Sequence, residues 1–98
     1  MKLGVFVNQF TETNSTLDRI KTDNLGIILV QNGVYHAALK ENGKNSALLS
    51  KSAKVYALSE DVISRGLSLD KLDKKVKVVD YNGLVDVIFN DYEKFIWL

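Results

Sequence analysis

The fold is decided by Lys54–Leu67, KVYALSEDVISRGL. Its first residues, KVYAL, combine β-branched, aromatic and aliphatic side chains, as a strand does. Ser59 follows as a helix N-cap. Glu60 and Asp61 fall in the first turn, where the helix dipole favours acids. Val62 and Ile63 begin the helix proper. Arg65 places a cation in the last turn, and Gly66 ends the helix. A strand that passes directly into a short helix is half of a βαβ unit.

The same alternation extends outward on both sides. Leu3 to Val7 is a short apolar, β-branched run. Asn14 and Ser15 offer N-caps for a helix carrying Leu17 and Ile20. Leu25 to Val30, LGIILV, is continuously apolar, as in a strand covered on both faces. Gln31-Asn32-Gly33 punctuates it, and Val34 to Leu39 supplies one or two helical turns. Asn42 to Ser52 is polar and loop-like, with Leu48 and Leu49 on a possible further turn. Downstream, Val76 to Val79 forms a fourth strand. Asp80 or Asn82 caps a helix with an apolar stripe of Leu84, Val85, Ile88 and Phe89, and Lys94 to Leu98, KFIWL, forms a fifth strand. The pattern predicts an α/β protein: a three-layer α/β/α arrangement around a mostly parallel sheet of about five strands, with right-handed crossovers. It does not specify the strand order.

With 98 residues and 11.0 kDa, residues 1–98 read as a single domain. Apolar residues at 46% and charged residues at 26% exclude disordered and low-complexity classes. Thirteen basic against twelve acidic residues leave a net charge of +1, so no strong field steers the whole chain to a polyanion. Direct nucleic-acid binding is therefore not expected. No apolar run approaches the ~20 residues of a membrane span. MKLGVFVNQF lacks the apolar core and cleavage site of a signal peptide, so a cytoplasmic location is expected. The sequence has no cysteine, which removes disulfides, thiolate nucleophiles and Cys-ligated metals. It has one His, and no metal or cofactor is implied. A chain of this size buries only roughly 60–65% of its unfolded surface, so association with copies or partners would help it.

In a parallel sheet, ligands sit beyond the carboxyl ends of the strands. The residues there are Asn8, Gln9, Gln31, Asn32, Ser59, Glu60, Asp61, Asp80, Tyr81 and Asn82. After the first strand comes NQFTETNST, with no Gly, so a glycine-rich phosphate loop is unsupported. A phospho-acceptor domain would need acids where Asn8 and Gln9 stand. Glu60 and Asp61 read better as complements of a helix N-terminus than as a general base. His36 lacks the partners of a triad and reads as a half-buried or interface residue. Lys71, Lys74, Lys75 and Lys77 are interleaved with Asp70, Asp73 and Asp80 and read as a solvated loop of nearly cancelling charge. Tyr35, Phe89 and Tyr92 are core candidates. Phe95 and Trp97, on the terminal apolar strand, divide evenly between core and subunit contact.

Three stretches together resemble the DsrH/TusB family of DsrE-like sulfur-relay proteins. They are IILVQNGVYHAAL (Ile27–Leu39), KVYALSEDVISRGL (Lys54–Leu67) and VVDYNGLVDVIFN (Val78–Asn90), with the aromatic Trp97 completing the pattern. The resemblance implies a DsrE-like α/β/α fold. It implies association with DsrE/TusD-like and DsrF/TusC-like subunits, or with a second copy as a homodimer. It also implies a role in relaying persulfide sulfur, either toward 2-thiolation of the wobble uridine of tRNA or, in DsrH-type members, in sulfur oxidation. The persulfide-carrying Cys belongs to the DsrE/TusD-like subunit. Some DsrH-type members also carry a Cys near the N-terminus, and this chain has none. No catalytic residue transfers, and an accessory, non-catalytic role is expected. Gln31, Asn32, Tyr35, His36, Glu60, Asp61, Arg65, Phe95 and Trp97 are then candidate partner contacts. Gly33 and Gly66 are expected at structural turns. Two alternatives stand beside this: a standalone homodimeric binding or regulatory protein on the same fold, and an acid–base enzyme that nothing in the spacing supports.

Overall fold

In the computed structural model, residues 2–8, 24–38, 40–41, 44–45 and 53–97 are described. Five parallel strands form the central sheet: β1 (Lys2–Val7), β2 (Asn24–Leu29), β5 (Lys54–Leu58), β6 (Val76–Val79) and β7 (Lys94–Trp97). Their spatial order is β6-β5-β2-β1-β7. The chain steps outward from β1 through β2 and β5 to β6. It then crosses back to lay β7 on the far side of β1, where Gly4 pairs with Phe95 and Phe6 with Trp97. The α/β class expected from the sequence is the one observed. The helix expected near Leu17 and Ile20 and the turn at Leu48 and Leu49 lie outside the described residues. Within the segment expected to be loop-like, Asn42 to Ser52, Lys44–Asn45 forms a short strand, β4, paired antiparallel with β3 (Lys40–Glu41) just before that segment. Two-residue strands leave no periodicity to read.

Strand alternation sends side chains to two unlike faces. One face is aliphatic: Leu3, Val5 and Val7 of β1, Ile27 and Leu29 of β2, and Val55 and Ala57 of β5. It is covered by the 3-10 turn Gln31–Val34, by α1 (Tyr35–Ala38) and by α2 (Ser59–Ser64), through Val34, Ala37 and Val62. The other face joins Phe6, Ile28, Tyr56 and Val79 to Leu84 and Val87 of α3 (Tyr81–Asn90). Here Gly4 and Gly26 leave hollows that aromatic rings fill. A Cβ at Gly4 would meet the Phe95 ring, and one at Gly26 would overlap the Tyr92 phenol. Phe6 stacks on Trp97 with ring centroids 4.6 Å apart, and Tyr92 meets Phe95 edge-on at 6.0 Å. Burial, reinforced by a hydrogen bond with Tyr56, pushes the Tyr92 phenol well above the usual tyrosine range.

Asp80 is the N-cap of α3, and its Oδ1 accepts the Gly83 N–H at 2.7 Å. The stripe on α3 differs from expectation in one residue. Leu84 and Val87 are buried and Val85 and Ile88 half-buried, but Phe89 is 80% exposed. At 3.6 residues per turn Phe89 lies about 140° around the helix from Leu84, away from the sheet. Among the described residues no helix is long and apolar enough to cross a membrane.

Candidate partner-docking site

The carboxyl ends of β2, β5 and β6 are joined by the first turn of α2. Ser59 was expected to cap this helix. Leu58 holds the N-cap position instead, without a side-chain cap, and the Ser59 hydroxyl donates to Glu60 Oε1 at 2.9 Å. The two acids do not serve their own helix alone. Glu60 Oε2 accepts the Tyr81 N–H at 3.0 Å, at the start of α3. Asp61 Oδ2 accepts the Gln31 N–H at 2.7 Å, at the end of β2. One dipeptide thereby latches both neighbouring strand–helix junctions. The Tyr81 N–H, above all, holds the Glu60 carboxyl below its usual value, and burial plays little part.

Arg65 closes the arrangement. Its Nε donates to Asn32 Oδ1 at 2.9 Å, and its Nη1 lies 3.5 Å from Asp61 Oδ1, an i, i+4 ion pair. Gln31, Asn32, Asp61 and Arg65 thus form one connected group, with Glu60 beside it tied to α3. The group was assembled from candidates that the sequence placed separately. The i, i+4 spacing of Asp61 and Arg65 was the one legible signal. The Asn32–Arg65 bond spans thirty-three positions, and no local pattern announces it.

The glycines divide the work differently from expectation. Gly66 ends α2 as predicted, with φ at +72°. Its N–H donates to the Ile63 carbonyl at 3.0 Å, while the Leu67 N–H donates to the Val62 carbonyl at 3.1 Å. This is a Schellman termination, with Leu67 packed on the aliphatic core beside Val62. Gly33 permits close approach rather than an unusual dihedral. A Cβ there would strike the backbone carbonyl of Val7. The left-handed residue of that turn is Gln31, at φ 51°. A non-glycine residue in that region carries strain, and here the Asp61 hydrogen bond holds it.

The remaining candidates separate by exposure. His36 is buried, at 5% exposure. Tyr35 is half-buried. Phe95, packed between Gly4, Phe6 and Tyr92, belongs to the core side of its expected division. Trp97 stacks one face on Phe6 and keeps 62% exposure. Among the described residues no group of three or more metal-ligating side chains gathers.

Comparison with known proteins fits this chain into a single lineage. Residues 8–94 match the family described as DsrH like protein. Protein TusB of Photorhabdus laumondii is 39% identical over 71 residues, covering 72% of this chain and 73% of that protein. Protein TusB of Yersinia pestis is 34% identical over 83 residues, 85% of each. Among solved structures, MTH1491 of Methanobacterium thermoautotrophicum, a protein of unknown function, superposes with a TM-score of 0.70 at 14% identity over 99% of this chain and 98% of that one. Tm0979 of Thermotoga maritima gives 0.61 at 25% identity over 90% and 93%, and ychN of E. coli gives 0.66 at 14% over the whole of both chains. The structural matches carry the fold, and the sequence matches carry the family: the chain belongs to the DsrH family.

Proposed function

We propose that this protein is an accessory, non-catalytic subunit of a cytoplasmic sulfur-relay complex. It supports persulfide transfer, such as that leading to 2-thiolation of the tRNA wobble uridine, while a DsrE/TusD-like partner holds the sulfur. The observation that carries this reading is the family match over residues 8–94 in a sequence that has no cysteine. Without a thiolate the chain has nothing on which to carry persulfide sulfur. Its contribution is then a surface. Gln31 and Asn32 form the exposed tip of a rim braced by Asp61 and Arg65. Such a rim, held before a partner arrives, reduces the ordering cost of docking.

The test is the native mass of the purified chain, alone and mixed with DsrE/TusD-like and DsrF/TusC-like proteins from the same source. A larger mixed assembly that is weakened by Arg65→Ala supports the reading. A chain that ignores both partners overturns it. A homodimer that excludes the partners would favour the second reading, a standalone binding protein on the same fold. The observation behind that alternative is the exposure of Phe89 and Trp97.

A further inference from the structure

Gln31 stands where a glycine would cost less. The Gly33 N–H donates to the Val30 carbonyl at 2.9 Å, closing a turn with Gln31 and Asn32 at its two central positions. Gln31 has φ 51°, and among the described residues no other non-glycine has a positive φ. A positive φ at the first central position alone is the II′ pattern, in which that position ordinarily carries Gly. The turn's own glycine sits two residues later, where a Cβ would strike the Val7 carbonyl. The surroundings hold Gln31 in this conformation from both sides. Val30 before it is buried, with its N–H donating to the Val7 carbonyl at 3.1 Å. Asp61 Oδ2 takes the Gln31 N–H itself at 2.7 Å.

Backbone strain that neighbours sustain in this way clusters where a protein clamps a ligand or partner. The Gln31 side chain is exposed, and among the described residues no hydrogen bond engages its amide. The charged groups around it are already engaged within the chain. Arg65 Nη1 lies 3.5 Å from Asp61 Oδ1, Arg65 Nε donates to Asn32 Oδ1, and Glu60 accepts the Tyr81 N–H. The tip therefore offers uncharged groups outward: the Gln31 carboxamide and, beside it, the amide N–H donors of Asn32. A carboxamide presents an acceptor oxygen next to an N–H donor, the same pair that a peptide group presents. A loop with unpaired main-chain groups matches it. A charged side chain docked there would lose more hydration than a neutral amide returns.

We propose that Gln31 selects the partner at this rim, its carboxamide pairing with a main-chain peptide group in an exposed loop of the DsrE/TusD-like subunit. The inference rests on the docking reading above, in which that subunit holds the sulfur. A side chain kept for recognition at a position that favours glycine moves stability and affinity in opposite directions when glycine replaces it, which a merely structural residue does not do. The test compares thermal unfolding of the free full-length chain with calorimetric titration of the DsrE/TusD-like protein from the same source. Gln31→Gly relieves the strain and removes the amide. Its unfolding midpoint is expected to rise by roughly 2–8 °C while its affinity falls at least about tenfold. Gln31→Ala keeps the strain and removes the amide, so affinity falls similarly while the midpoint stays within about 2 °C of the parent. Affinity retained by both variants overturns the inference and leaves the docking reading standing, as does a Gln31→Gly chain less stable than the parent. A parent chain that does not bind the DsrE/TusD-like protein overturns the docking reading and the inference with it.

Discussion

The two faces of the sheet are built on different packing rules. The aliphatic face fills its volume with Val, Ile and Leu, and its tightest point is backbone against backbone, Gly33 beneath the Val7 carbonyl. The aromatic face leaves glycine hollows and fills them with side-chain rings, Phe95 over Gly4 and Tyr92 over Gly26. A ring can tilt, whereas a carbonyl committed to a strand cannot. The first face should therefore fail abruptly and the second should give way by degrees.

The sharpest way to break this contrast is Gly33→Ala. Its new methyl meets the Val7 carbonyl, which also accepts the Val30 N–H at 3.1 Å. The cost is expected at or beyond the upper end of about 1–3 kcal/mol for overpacking, read as loss of a cooperative thermal transition. Leu29→Ala, on the same face and fully buried, removes side-chain volume without a clash. It should destabilise by about 2–4 kcal/mol in denaturant titration. Gly26→Ala tests the yielding face. Because its obstacle is the tip of a half-buried Tyr92, the loss should be about 1–2 kcal/mol, with near-ultraviolet dichroism reporting the displaced ring. A Gly26→Ala cost equal to that of Gly33→Ala would end the distinction. Trp97→Ala removes the stack on Phe6 at an exposed edge and should cost about 1 kcal/mol.

The smallest effect is a pH dependence. Glu60 has a lowered folded-state pKa, so its contribution to stability is present above the ordinary glutamate value of 4.5 and is lost as pH falls through the folded value. Glu60→Gln should therefore flatten the acid limb of the stability profile and lower stability only above that limb. Identical acid limbs in variant and parent would refute the Tyr81 latch.

Much of this architecture is legible in the sequence. β5 and β6 begin and end where their apolar runs do, Asp80 announces α3, and Gly66 announces the end of α2. These signals are local, carried by alternation, caps and a left-handed glycine. What escapes is what neighbours in space decide. Ser59 has cap chemistry, but the helix begins one residue earlier than that role requires. Gln31 carries no mark of its left-handed dihedral, because Asp61, thirty positions away, stabilises it. Phe89 looks like core until the helix is rotated against the sheet. The rim at the carboxyl ends was legible as a set of residues, but its wiring was not.

The strand order also sets a timetable. β1 leaves the ribosome well before its partner on one side, β7, which is separated from it by about ninety positions, as the Lys2–Glu93 bond spans 91. During synthesis β2, β5 and β6 all become available before Phe95 and Trp97 do. Through that interval β1 presents an open hydrogen-bonding edge, with Phe6 uncovered by Phe95 and Trp97. Closing the loop between β1 and β7 late is a slow, non-local step. The nascent chain is most prone to misassociation just before β7 docks.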